Sequence, residues 1–149
     1  MLTDENQVLF LKVLDEIIPA GGVRRMPSAG VKAVAESVLS ATAYSTDAPG
    51  TVERLLEAVS ARSPGFSELS SDDRVTVLKA VEMAEPRDFA ELVRLTYMAY
   101  YSRPEIRPLL GVGAHPVHPH GYVVEHESDT LMDELTAPVR ARGAAYRQA

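Results

Sequence analysis

Hydrophobic positions along the chain recur at three- and four-residue intervals, the spacing that brings side chains onto one face of an α-helix. Phe10, Val13, Leu14, Ile17 and Ile18 form the first stripe. They predict a helix over residues 4–18, with Asp4 as cap, Gln7 three positions later, and Pro19 with Gly21-Gly22 as the stop. Ser28 precedes a second pattern of Val31, Val34, Val38 and Leu39, with Thr42 one turn beyond Val38. Pro49-Gly50 opens a turn, and Thr51 is the expected cap of a third helix carrying Val52, Leu55, Leu56 and Val59. Phe66 and Leu69 stand in an otherwise polar linker and are expected to pin it to the core. Ser70, with Asp73 at the capping-box position, predicts a fourth helix through Val75, Leu78 and Val81. Pro86 suits the first turn of a fifth, where its missing N–H costs nothing. Phe89, Leu92, Val93, Thr96, Tyr97 and Tyr100 carry that stripe to about Tyr101.

The pattern then changes. Residues 103–124 hold Pro104, Pro108, Pro116 and Pro119 with Gly111, Gly113 and Gly121, which defeats a long helix. Irregular segments of this length are uncommon in compact domains and are often functional. A short last helix is expected from Ser128 through Leu131, Met132 and Leu135 to near Pro138, followed by a basic tail. No period-two strand or internal repeat appears. The expectation is an all-α fold: one compact domain over residues 1–149, with about five to six helices and a long Pro/Gly-rich loop near the C-terminus.

Composition narrows the chemistry. The 149 residues are 46% hydrophobic and include no Cys, which removes disulfides, thiolate metal sites, iron–sulfur clusters and a Cys nucleophile. A formal net charge of −6 argues against a broad nucleic-acid or anionic-membrane surface. No run approaches the ~20 apolar residues that cross a bilayer. The N-terminus lacks a basic n-region, a twin arginine before a hydrophobic stretch and a cleavage site. The expected location is cytoplasmic, with the periplasm open if a signal was removed or a partner carries the chain.

Histidines are the first candidates for a site. His115, His118 and His120, with His126 six residues beyond, offer enough imidazoles for Zn²⁺, Cu²⁺ or Ni²⁺. Against this, Pro116 and Pro119 favour extended backbone that points neighbouring side chains apart, and the spacing matches no helix-based zinc signature. The alternative is an ordered loop whose imidazoles hydrogen-bond or stack on the domain or on a partner. A His base would need an orienting group such as Glu125, Glu127 or Asp129, yet no nucleophile elbow, GxGxxG or P-loop accompanies it. No catalytic or cofactor-binding residue is assigned. Tyr97, Tyr100 and Tyr101 share a helical face and serve either as core packing or as interface anchors, with Tyr122 at the far end of the loop.

Three segments, in order, resemble the small subunit of membrane-type gluconate 2-dehydrogenases, the subunit 3 family. They are VLDEIIPAGG at 13–22, FSELSSDDRVTVLKAVE at 66–82 and FAELVRLTYMAYYSRPEIRPLLGVGAHPVHPHGY at 89–122. YYSRP, followed by LLG and a Pro-rich loop closing on GY, is the most specific part. The resemblance implies a non-catalytic small subunit that stabilises or matures a large FAD-dependent oxidoreductase of the glucose–methanol–choline type. That partner would oxidise a sugar or glycoside, in some systems with a cytochrome as electron acceptor. FAD and the sugar-oxidising histidine would then lie in the large subunit, and this chain would hold no cofactor. On that reading Tyr97, Tyr100, Tyr101, Pro104, Leu109, Leu110, His115, Pro116, His118, His120 and Tyr122 are the expected partner contacts. Family members often carry a twin-arginine signal, whereas this chain starts at its first helix, which favours a cytoplasmic complex or a mature form. Two other functions stand beside this one. One is an independent metal-assisted enzyme using His115, His118 and His120; the other is a homo-oligomeric helical binding module.

Overall fold

The computed structural model describes residues 2–114 and 128–143. They belong to two compact units, Met1–Val117 and His118–Ala149. The described residues hold six α-helices and no strand, the all-α architecture that the period of the apolar positions predicts. The first unit contains α1 (Asp4–Ile17), α2 (Lys32–Leu39), α3 (Ala48–Arg62), α4 (Ser71–Ala84) and α5 (Pro86–Tyr101). Two 3-10 turns, Phe66–Glu68 and Arg107–Leu110, complete it.

Local chemistry explains where the helices start. Thr3, rather than Asp4, caps α1 and accepts from the Asn6 amide at 3.2 Å. Asp4 and Glu5 instead occupy the first turn, where carboxylates oppose the positive end of the helix dipole. Ser70 caps α4 as expected, accepting from the Asp73 amide at 3.2 Å while its hydroxyl donates to the Asp73 carboxylate at 2.7 Å. The α3 start is a correction: the helix begins at Ala48, with Asp47 in the cap position and Pro49 in the first turn. Thr51 lies inside the helix and is buried. Proline's fixed φ suits that first turn, so Pro49 lies in the first turn of the helix instead of opening a turn before it. The second pattern forms a helix of only 8 residues, and Val31 stays 42% exposed at its cap.

The core of this unit is built by one face of each helix. Phe10, Val13 and Leu14 of α1 meet Val34 and Val38 of α2, Val52, Leu55, Leu56 and Val59 of α3, Val81 of α4 and Leu92 and Leu95 of α5. Helices α1, α3 and α5 each pack against all four other helices of this unit. Phe66 is buried and Leu69 half-buried, so the linker is pinned as its two apolar residues predict.

Before α2 the chain passes close over α1. A Cβ added to Gly30 would stand 2.7 Å from the Leu11 carbonyl and 2.9 Å from the Asp15 Cβ. Backbone cannot yield as a flexible side-chain tip would, so overpacking there strains the crossing. Gly30→Ala is expected to lower the unfolding free energy by about 1–3 kcal/mol, read from its urea midpoint; a wild-type midpoint would show that the crossing is loose.

The second unit contributes α6 (Asp129–Arg142). Ser128 caps it as expected, accepting from the Leu131 amide at 3.3 Å. The expected end near Pro138 is corrected, because the helix continues four residues further. Pro138 removes one N–H donor but leaves the following turn, and Arg140 pairs with Asp133 at 2.8 Å across it.

Candidate functional site

The C-terminal end of α5 is where buried structure gives way to exposed apolar side chains. Tyr100 faces inward at 1% exposure, and its hydroxyl donates to the Pro27 carbonyl in the α1–α2 connection. Burial, and secondarily the neighbouring Tyr101, pushes its phenol up, which keeps it the neutral donor this hydrogen bond needs. Tyr101 stands edge-on to Tyr100 at 5.0 Å between ring centres and to Tyr97 at 5.8 Å. Tyr97 and Tyr101 are exposed. The core tyrosine Tyr100 therefore meets Tyr101 edge to face, and Tyr101 in turn meets Tyr97.

Beyond α5, the described residues 102–114 are held by specific contacts. Ile106 is buried, the one apolar residue among the described residues 102–114 that the core takes. Arg107 Nε donates to the Gly113 carbonyl at 2.8 Å, closing the segment on itself. Arg24 Nη1 donates to the Leu109 carbonyl at 2.8 Å, fastening the 3-10 turn to the α1–α2 connection. Leu109, Leu110 and Val112 remain exposed on this braced segment.

The α1–α2 connection is itself a tight turn. Gly21 and Met26 exchange backbone hydrogen bonds at 2.9 Å in both directions, with Gly21 at φ 133 and Gly22 at φ 72. Those left-handed values are open to glycine without strain, which is why the pair stands there. Val23 projects from the turn fully exposed.

Of the expected partner contacts among the described residues, Tyr97, Tyr101, Pro104, Leu109 and Leu110 are at the surface. Tyr100 is the exception: the core and Pro27 take it, and its ring packs edge-on against Tyr101. His115, Pro116, His118, His120 and Tyr122 lie outside the described residues. Among the described residues, no group of three or more His, Asp or Glu side chains could hold a metal ion. No helix among them is long and apolar enough to cross a membrane. The sequence reading missed Val23, Arg24 and Ile106 as parts of this region. A Gly-Gly pair followed five residues later by Pro27 does mark a tight turn, whose tip residues are exposed whatever their polarity.

Concave surface lies elsewhere as well. A groove of about 570 Å³ runs between α1, α2 and α3 over Leu2, Phe10, Leu11, Ala35 and Leu39, with Lys32 and Glu36 at its rim. A smaller one of about 200 Å³ is lined by Ile17, Leu78, Phe89, Val93 and Tyr97, so the exposed tyrosine borders a recess.

Charges brace α5 from outside. Arg54 of α3 donates to Asp88 at 2.6 and 3.1 Å and to Asp47 at 2.8 Å, and it holds the Asp88 carboxyl below its usual range. The Arg94 guanidinium, then the Ser45 hydroxyl, lowers Glu91 from 4.5 to about 2. A carboxyl depressed on folding stabilises the fold fully above its unfolded value, and the contribution is lost as pH falls through the folded one. Wild-type stability should therefore decline between about pH 4.5 and 2 through this group. Glu91→Gln should flatten that decline in a series of denaturation midpoints, and an unchanged slope would contradict the assignment.

Comparison with known protein families, curated proteins and solved structures finds no match to this chain.

Proposed function

We propose that this chain is the non-catalytic small subunit of a large FAD-dependent oxidoreductase of the glucose–methanol–choline type that oxidises a sugar or glycoside. Its role is to stabilise or mature that partner. The observation that carries the reading is the exposure of Tyr97, Tyr101, Leu109 and Leu110 on a braced frame. Tyrosines are among the residues enriched at interface hot spots, and side chains already held on a braced frame lose less entropy on association. The resemblance of residues 13–22, 66–82 and 89–122 to the subunit 3 family supplies the partner's identity. In such a complex FAD and the hydride transfer belong to the large subunit, and a cytochrome or other acceptor takes the electrons onward.

Co-expression of the tagged chain with a large FAD-dependent oxidoreductase of the same gene cluster tests this. A yellow, sugar-oxidising flavoprotein should co-purify. Tyr101→Asp combined with Leu109→Asp should cut the captured flavin on the order of tenfold or more, the scale of losing interface anchors. A flavoprotein that folds, binds FAD and turns over equally well without this chain would defeat the proposal.

A further inference from the structure

We propose that the turn Gly21–Met26 belongs to the contact surface, and that the partner meets it with an apolar depression rimmed by carboxylates. This rests on the reading of the chain as a subunit and adds to it the chemistry of the partner's face. Two contacts make the turn and the segment after α5 one body. The Tyr100 hydroxyl holds the Pro27 carbonyl at the base of the turn, and Arg24 holds the Leu109 carbonyl from within it. Val23 at its tip is fully exposed, beside the segment that displays Leu109, Leu110 and Val112.

Charge identifies what surrounds the depression. The two segments carry Arg24, Arg25, Arg103 and Arg107 against a single carboxylate, Glu105. Arg103 is paired with Glu105. Arg24 and Arg107 donate instead to the Leu109 and Gly113 carbonyls, which satisfies their hydrogen bonds without neutralising their charge. Arg25 is exposed and held at φ 50 by the turn. On a chain of formal net charge −6 this is a local basic patch laid around apolar side chains. A complementary face is acidic at its edge and apolar at its centre, and the planar fork of each guanidinium suits a carboxylate. A nucleic acid would instead meet an extended basic face, which an acidic chain with apolar side chains between its arginines does not offer.

The test uses the immobilised large flavoprotein and four forms of the full chain: unaltered, Val23→Asp, Arg25→Asp and Met83→Asp. Aspartate tolerates the left-handed backbone at position 25, and Met83 is an exposed apolar residue of α4 outside both segments. Equal thermal midpoints establish that all four are folded. Arg25→Asp should slow association about fivefold at low salt, with the difference shrinking as salt rises, the behaviour of a rim charge. Val23→Asp should weaken binding about tenfold, chiefly through faster dissociation. Met83→Asp should bind as the unaltered chain does. If the unaltered chain binds and Val23→Asp and Arg25→Asp bind equally well, the turn is outside the interface and this inference falls alone. If the unaltered chain does not bind, the subunit reading falls and takes this inference with it. Tight, salt-sensitive binding to phosphatidylserine vesicles without flavoprotein binding would likewise overturn the acidic-protein assignment.

Discussion

Tyr100→Ala is expected to remove about 3–5 kcal/mol of folding stability, the range for deleting a buried aromatic side chain. Tyr100→Phe should cost only about 1–2 kcal/mol, because it keeps the packing and leaves one carbonyl without its donor. The difference follows from what Tyr100 touches. It is 1% exposed at the C-terminal end of α5, and its hydroxyl reaches the Pro27 carbonyl in the α1–α2 connection. Folded domains of this size hold about 5–15 kcal/mol in total, so the Ala variant forfeits a large part of the margin. Urea midpoints with an unchanged m-value measure both losses. Equal losses for Ala and Phe would mean that the hydrogen bond, and not the ring, dominates. The Phe variant has a second, local consequence: amides of the turn Gly21–Met26 should exchange faster while those of α5 do not.

Glu16→Ala is the second large effect, expected at about 3–5 kcal/mol because it strands a buried charge. Glu16 of α1 and Arg74 of α4 pair at 2.6 Å, with side chains only 5% and 12% exposed. Ser71 donates to the other carboxylate oxygen at 2.6 Å, and Arg74 donates to the Leu69 carbonyl at 2.9 Å. The pair therefore clamps α1 to α4 and to the linker behind Phe66. Desolvation offsets most of the attraction between two buried charges, so the pair itself adds little net stability, while either charge alone is costly. Replacing both residues together, as Glu16→Met with Arg74→Met, should consequently recover most of the loss. A double variant as unstable as Glu16→Ala would show that the hydrogen bonds to Ser71 and Leu69 carry the energy instead.

Helix periodicity made the fold legible because burial follows it closely. Phe10, Val13, Leu14, Val52, Leu55, Leu56, Val59, Leu78, Val81 and Leu92 were all readable from their spacing and all lie in the core. Helix starts were less readable, since several polar residues compete for each cap. Thr3 beats Asp4, and Asp47 gives its carboxylate to Arg54 rather than to a backbone amide. Glu16 and Arg74 could not be paired from sequence, because 58 residues separate them and each resembles a surface charge on its own helix.

The contact surface was legible in part. Spacing puts Tyr97, Tyr100 and Tyr101 on one side of α5 but does not say which turns inward; the Pro27 carbonyl decides that. Pro104, Pro108, Gly111 and Gly113 read as irregular chain. Yet Ile106 is buried, and Arg24 and Arg107 supply donors to carbonyls that a helix or strand would have satisfied. Such long-range side-chain-to-backbone bonds leave no periodic trace. Val23 was passed over for the same reason, as it looks like an isolated apolar residue until Arg24 joins its turn to Leu109.

Hydrogen exchange of this chain, alone and bound to the large FAD-dependent oxidoreductase, tests the subunit reading most directly. Slower exchange on binding should concentrate at the end of α5, at residues 102–112 and at the turn Gly21–Met26, while α4 around Met83 stays unchanged. Exchange identical in the presence and absence of the flavoprotein, or slowed only along the groove between α1, α2 and α3, would contradict it.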